Sequence, residues 1–104
     1  MRVAQHSVNL RSMIKTFNHK GLRKFFETGS VFGIQPGHKR KLRIRLTALD
    51  TATSIEDMDL PGFRLHPLKG DRQDFWAIDV SKNWRMVFKF QDGNAFVVDY
   101  EDYH

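Results

Sequence analysis

The stretch NWRMVFKFQDGNAFVVDY, residues 83–100, decides how this chain folds. Residues 83–91 and 94–100 are two runs rich in aromatic and β-branched side chains, the types that pack well on a pleated, half-buried surface. Asp92-Gly93 lies between them, and glycine accepts the positive φ that a tight hairpin turn needs. The two runs therefore read as antiparallel neighbours. Because successive side chains alternate across a sheet, Trp84, Met86, Phe88 and Phe90 form a core face, while Arg85, Val87 and Lys89 take the opposite, less buried one. Arg85 is left with a charge that water, an acid or a phosphate must meet.

Working outward, residues 63–68 and 75–80 are two further strand candidates, and the alternating run Met13-Ile14-Lys15-Thr16-Phe17 suits a first strand. Between residues 19 and 28, Leu22, Phe25 and Phe26 fall at i, i+3 and i+4, and Gly29 stands where a helix stops. The run KRKLRIRL, residues 39–46, alternates like a strand through Leu42, Ile44 and Leu46, yet Leu42, Leu46 and Leu49 match a helix. Helix is favoured, since Pro36-Gly37 punctuates its start and the pattern runs past strand length into Ala48 and Leu49. On that helix the leucines face the core, and Lys39, Arg40, Lys41, Arg43 and Arg45 coat the outside. The expected fold is α+β: one compact domain with N-terminal helices packed on a mainly antiparallel twisted sheet. Residues 1–12 carry no such pattern and read as a flexible extension to a domain spanning 13–104.

A chain of 104 residues suits one domain rather than two. The absence of cysteine excludes a disulfide scaffold and a thiolate zinc site. No stretch approaches the ~20 apolar residues of a membrane helix, so a cytoplasmic protein without a membrane partner is expected. The net charge of +5 conceals an asymmetry, since residues 1–53 carry +9 and residues 54–104 carry −4. A concentrated basic patch captures polyanions, and nucleic acid is the first partner class to consider.

Several chemistries can be set aside. No glycine spacing ends in Gly-Lys-Ser/Thr or opens a dinucleotide-binding helix, no serine sits in a Gly-x-Ser-x-Gly elbow, and the five histidines show no metal-ligand spacing. Neither cofactor nor metal is indicated. What remains is a polar set on the sheet and its ends: His66, Lys69 and Arg72 in HPLKGDR, then Arg85, then Asp102, Tyr103 and His104.

The run His66 to Arg72, the Asn83-Trp84-Arg85 strand opening and the ending Tyr100-Glu101-Asp102-Tyr103-His104 resemble the HigB-type toxins of the RelE/ParE superfamily. The likeness extends over residues 13–104, including Phe17 to Leu22 and the ending Leu49-Asp50-Thr51-Ala52-Thr53. It implies a RelE-like fold and a ribosome-dependent endoribonuclease that cleaves messenger RNA in the decoding site without a metal, through attack of a 2′-hydroxyl on the adjacent phosphate. It also implies a HigA-type helix-turn-helix antitoxin as partner. By the same resemblance the catalytic residues are His66, Lys69, Arg85, Asp102, Tyr103 and His104.

The chemistry agrees with that set, since in-line attack needs a base, an acid and cations on the nonbridging oxygens. Lys69 and Arg85 are the cations; Asp102 and His104 are the base and acid, in an order the sequence leaves open. The terminal carboxylate beside His104 would favour imidazolium and suit it to the acid role. Tyr103 would stack on a base, orient a phosphate or pack on the sheet. Lys39, Arg40, Lys41, Arg43, Arg45 and Arg72 are the expected RNA- and ribosome-binding cations. A ParE-like topoisomerase inhibitor, or a non-toxic basic RNA-binding module, is the alternative.

Overall fold

The computed structural model describes residues 12–103. Helix α1 (Lys20–Thr28) begins where the His19 imidazole Nδ1 accepts the Leu22 N–H at 2.9 Å, and ends at Gly29 with φ +81°, whose N–H reaches the Phe25 carbonyl. A left-handed residue closing a helix is glycine's ordinary use. Helix α2 (Lys39–Thr51) buries Leu42, Leu46 and Leu49, the leucines the pattern assigned to the core. The sheet then follows in chain order as β1 (His66–Pro67), β2 (Phe75–Asp79), β3 (Trp84–Gln91) and β4 (Asn94–Asp102), each antiparallel to the next. Among the described residues, two α-helices thus pack on a four-stranded antiparallel sheet. Leu22 and Phe25 of α1 and the α2 leucines meet Ile78, Val80, Met86, Phe88, Val98 and Tyr100 in one core.

The β3–β4 turn is the one the Asp-Gly pair announces: Asp92 and Gly93 have φ +54° and +77°, and Gln91 pairs with Asn94 across them. Further along, the ladder is interrupted. Lys89 pairs with Phe96 but Val87 pairs with Asp99, so β4 carries one extra residue, and Val97 sits there at φ +53°. A β-branched residue in the left-handed region is strained. Its conformation is held from the N-terminal side, where the Thr16 hydroxyl accepts the Val97 N–H at 2.7 Å.

Three expectations need correction. The 13–17 run does not form a regular strand; it runs parallel to β4 through isolated bridges Ile14–Ala95 and Phe17–Val98, because the bulge between those contacts breaks any continuous ladder. The 63–68 run pairs as a strand only at His66–Pro67, since Gly62 and Arg64 both take positive φ and turn the chain. Arg45 does not coat the outside of α2: it is buried, with its Nε donating to the Asp79 carbonyl and its guanidinium 4.6 Å from the Phe63 ring centroid. Lys39, Arg40, Lys41 and Arg43 are exposed as expected. Ser12, placed in the extension by its sequence, is buried and donates its hydroxyl to Asp50; the rest of that extension lies outside the described residues.

Candidate active site

The helices cover one face of the sheet, and the opposite face carries the charges. The registers put His66, Ala77, Val87 and Asp99 in one cross-strand row, and Asp79, Arg85 and Glu101 in the next row of the same face. The segment after β1 folds back over this face, because Arg72, in the 3₁₀ turn Gly70–Arg72, reaches Glu101 on β4. Ala77 and Val87 are buried although they lie on the side away from the helices.

Glu101 is the hub. Arg72 grips its carboxylate with two bonds of 2.9 Å, and Arg85 donates Nε to the same group at 2.8 Å. Paired donors of this kind hold a carboxylate tightly. The Arg72 hydrogen bonds, with Arg85 second, hold the Glu101 carboxyl below the usual glutamate range against the opposing effect of burial. The Arg85 side chain is only 14% exposed, and its guanidinium lies 4.5 Å from the Tyr103 ring centroid. Tyr103 is fixed in turn, its N–H donating to the Asn83 carbonyl at 2.9 Å and its hydroxyl to the Lys82 carbonyl at 3.2 Å. On the other flank of Arg85, Asp79 accepts Arg64 at 3.1 Å through Oδ2, while its buried Oδ1 has no hydrogen-bond partner. Arg85 therefore sits between two carboxylates and is held by one.

His66 has Nδ1 at 2.7 Å from the Arg64 carbonyl. A carbonyl only accepts, so Nδ1 is the donor of this bond. Lys69 is exposed at the start of the 3₁₀ turn. Of the residues singled out from sequence, Arg72, Arg85 and Tyr103 are thus brought into direct contact or linked through Glu101, and His66 shares their face. Asp102 is not part of that cluster: it pairs with Trp84, and alternation puts both on the helix side of β4. His104 lies outside the described residues. Glu101 and Asp79 were missed, since no short motif marks a carboxylate whose arginine partners are distant in sequence.

The helix side of the same strand ends is a neutral, aromatic counterpart. The Tyr100 hydroxyl is hydrogen-bonded to His38 Nδ1 at 2.6 Å and accepts the Gln35 N–H at 3.3 Å. Its ring lies 4.6 Å from that of Trp84 and 5.4 Å from that of His19. Burial, with a smaller contribution from Lys41, lowers the His38 pKa, while burial raises that of Tyr100.

A small antiparallel sheet with helices on one face is a fold shared with solved toxin structures. A chain of the Escherichia coli DinJ–YafQ toxin–antitoxin complex superposes with a TM-score of 0.56 at 17% identity, over 88% of this chain and 92% of that one. Residues 15–104 match the HigB-like toxins, the RelE-like toxins of type II toxin–antitoxin system HigB, and the chain belongs to that family. It is 47% identical over 92 residues to Endoribonuclease HigB of Proteus vulgaris, covering 88% of this chain and all of that protein. It is 31% identical over 85 residues to Toxin HigB-1 of Vibrio cholerae serotype O1, covering 80% of this chain and 90% of that one.

Proposed function

We propose that this protein is an endoribonuclease toxin that cuts messenger RNA on the ribosome and is restrained by a HigA-type helix-turn-helix antitoxin. The observation that carries the reading is Arg85: a guanidinium stacked on Tyr103 and fixed by Glu101, on the sheet face away from the helices and beside the end of the last strand. Such preorganisation is what stabilising a phosphorane-like transition state requires, because the donors need not reorganise as charge develops.

The RNA supplies its own nucleophile, the 2′-hydroxyl, so the reaction needs no metal-bound water. That oxygen attacks the adjacent phosphorus, its proton passes to a base, and the 5′-oxygen leaves with a proton from an acid, giving a cyclic phosphate and a free 5′-hydroxyl. Arg85 and Lys69 hold charge on the nonbridging oxygens. The proton-transfer groups are drawn from His66, which shares the face of Arg85, and His104; Asp102, on the helix side of β4, is left out of the step. Tyr103, with one ring face under Arg85, steers the guanidinium and offers its exposed edge to a nucleobase. The exposed Lys39, Arg40, Lys41 and Arg43 attract ribosomal RNA, an attraction that weakens steeply with salt. Arg45, being buried, takes no part, and Arg72 acts through Glu101.

The test is to add the purified protein to ribosomes translating a defined message and to map the ends. Cleavage leaving 2′,3′-cyclic phosphate and 5′-hydroxyl termini is expected, and Arg85→Ala should lower its rate by about 10²- to 10³-fold with an unchanged circular dichroism spectrum. Intact message in the presence of the wild-type protein overturns the reading.

A further inference from the structure

On the helix side, across the sheet from Arg85, residues 29–49 contain no acid and five cations, of which only Arg45 is buried. Two hollows open on this surface. One of about 590 Å³ is lined by Gly37, Lys39, Arg40, Arg43 and Ile44; the other, of about 360 Å³, is lined by Val31, Ile34, Gln35, Pro36, Gly37 and Lys39. They share Gly37 and Lys39, so the two hollows adjoin and make a groove along this surface. Ile44 is 48% exposed and Val31 50%, and Phe32, next along the loop, is 88% exposed.

That exposure is built in. The loop is fixed against α1 where Gly33 lies so close to Gly21 that a Cβ on Gly21 would come within 3.3 Å of it. It is fixed again by the Ile34 N–H to Val31 carbonyl bond of 3.0 Å and the Gln35 N–H to Tyr100 hydroxyl bond of 3.3 Å. Apolar side chains presented on a pinned loop, rimmed by charges of one sign, mark an interaction surface.

From this we infer that the groove between the 29–37 loop and the outer face of α2 is the docking surface for an acidic amphipathic segment of the antitoxin. The inference rests on the toxin–antitoxin reading above and names where the partner sits. Charge complementarity selects its acids: Lys39, Arg40 and Lys41 occupy the first turn of α2, where the helix dipole already makes the field positive and where the helix has no acidic residue of its own. The apolar centre selects a protein over a phosphate backbone. Cations alone would serve RNA, whereas Val31, Phe32 and Ile44 need anchors that a peptide's apolar side chains provide, spaced as on one helix face. A segment bound there covers the cations that attract ribosomal RNA, so antitoxin and ribosome compete for α2.

The experiment uses the full-length triple variant Val31→Ser, Phe32→Ser, Ile44→Ser, in which only exposed side chains change, together with a separately purified HigA-type antitoxin. The expected result is a dissociation constant for the antitoxin raised at least about 100-fold, with cleavage of message on ribosomes within about twofold of wild type. Unchanged antitoxin affinity overturns the proposal. So does a fall in ribosome binding with antitoxin binding retained, which would assign the apolar residues to base stacking. Failure of the wild type to bind the antitoxin overturns the docking surface; binding without any cleavage overturns the nuclease reading and leaves the surface standing.

Discussion

The two halves of the β3–β4 ribbon differ in one residue of register, and the candidate site exists only in the slipped half. Next to the turn, Gln91 faces Asn94 and Phe90 faces Ala95. Continued without interruption, that spacing would set Arg85 opposite Tyr100. Beyond Val97 the extra residue slides the pairing, Arg85 faces Glu101, and Tyr100 turns inward against Met86. A slip of one residue sends every side chain to the other face. The strained Val97 backbone therefore sorts two neighbours into opposite surroundings, Tyr100 into a neutral cluster with His38 and Trp84, and Glu101 into a carboxylate shared by two arginines.

The largest expected effect comes from inserting a single alanine between Val98 and Asp99. With the bulge at Val97 kept, the insertion would set Tyr100 opposite Arg85 and send Glu101 toward the core, and an unpaired buried carboxylate should cost on the order of 3 kcal/mol or more. Urea unfolding measures this, and near-native stability would break the comparison. Next, Glu101→Gln should lower kcat for message cleavage about tenfold or more through loss of Arg85 alignment, without raising KM. Its inward neighbour should behave in reverse: Tyr100→Phe leaves His38 and the Gln35 amide without their partner and should cost about 1–2 kcal/mol of stability while sparing cleavage.

Acidification should separate the two clusters again. Both groups have folded-state values below their ordinary ones, so each contributes stability at higher pH that is lost as pH falls. The loss from His38 begins below its ordinary value of 6.5, whereas that from Glu101 begins only below 4.5. Urea midpoints across pH should show the upper loss vanish in His38→Gln and the lower one shrink in Glu101→Gln. The smallest effect is that of Thr16→Val, which removes the acceptor of the Val97 N–H and should cost about 1 kcal/mol.

Much of this was legible in the chain. The Asp92-Gly93 turn, the leucine spacing of α2 and the glycine end of α1 are local signals, and each element stands where its signal lies. The sheet's charged face was legible as far as Arg85, because alternation needs only the strand itself. Glu101 as its partner was not, since counting back from the turn gives the wrong residue and nothing in Ala95-Phe96-Val97-Val98 announces a bulge. The extra residue is fixed by Thr16, which lies far away in sequence. Arg45 was misplaced for a similar reason: its spacing from Leu42 and Leu49 puts it on the core stripe, but its charge reads as exposed because the Asp79 carbonyl and the Phe63 ring that receive it are distant in sequence.

The contact of residues 13–18 with β4 has a bearing on solubility. β4 ends the sheet and runs for nine residues, long enough to serve as a template for strands of other molecules. The amides of Ala95, Val97 and Val98 are instead satisfied by Met13 and Thr16, and the opposite border is a strand of two residues. With one border occupied and the other too brief to propagate, the molecule resists fibrillar self-association, and trimming the chain past Asn18 would uncover an adhesive ribbon carrying Phe96, Val97 and Val98.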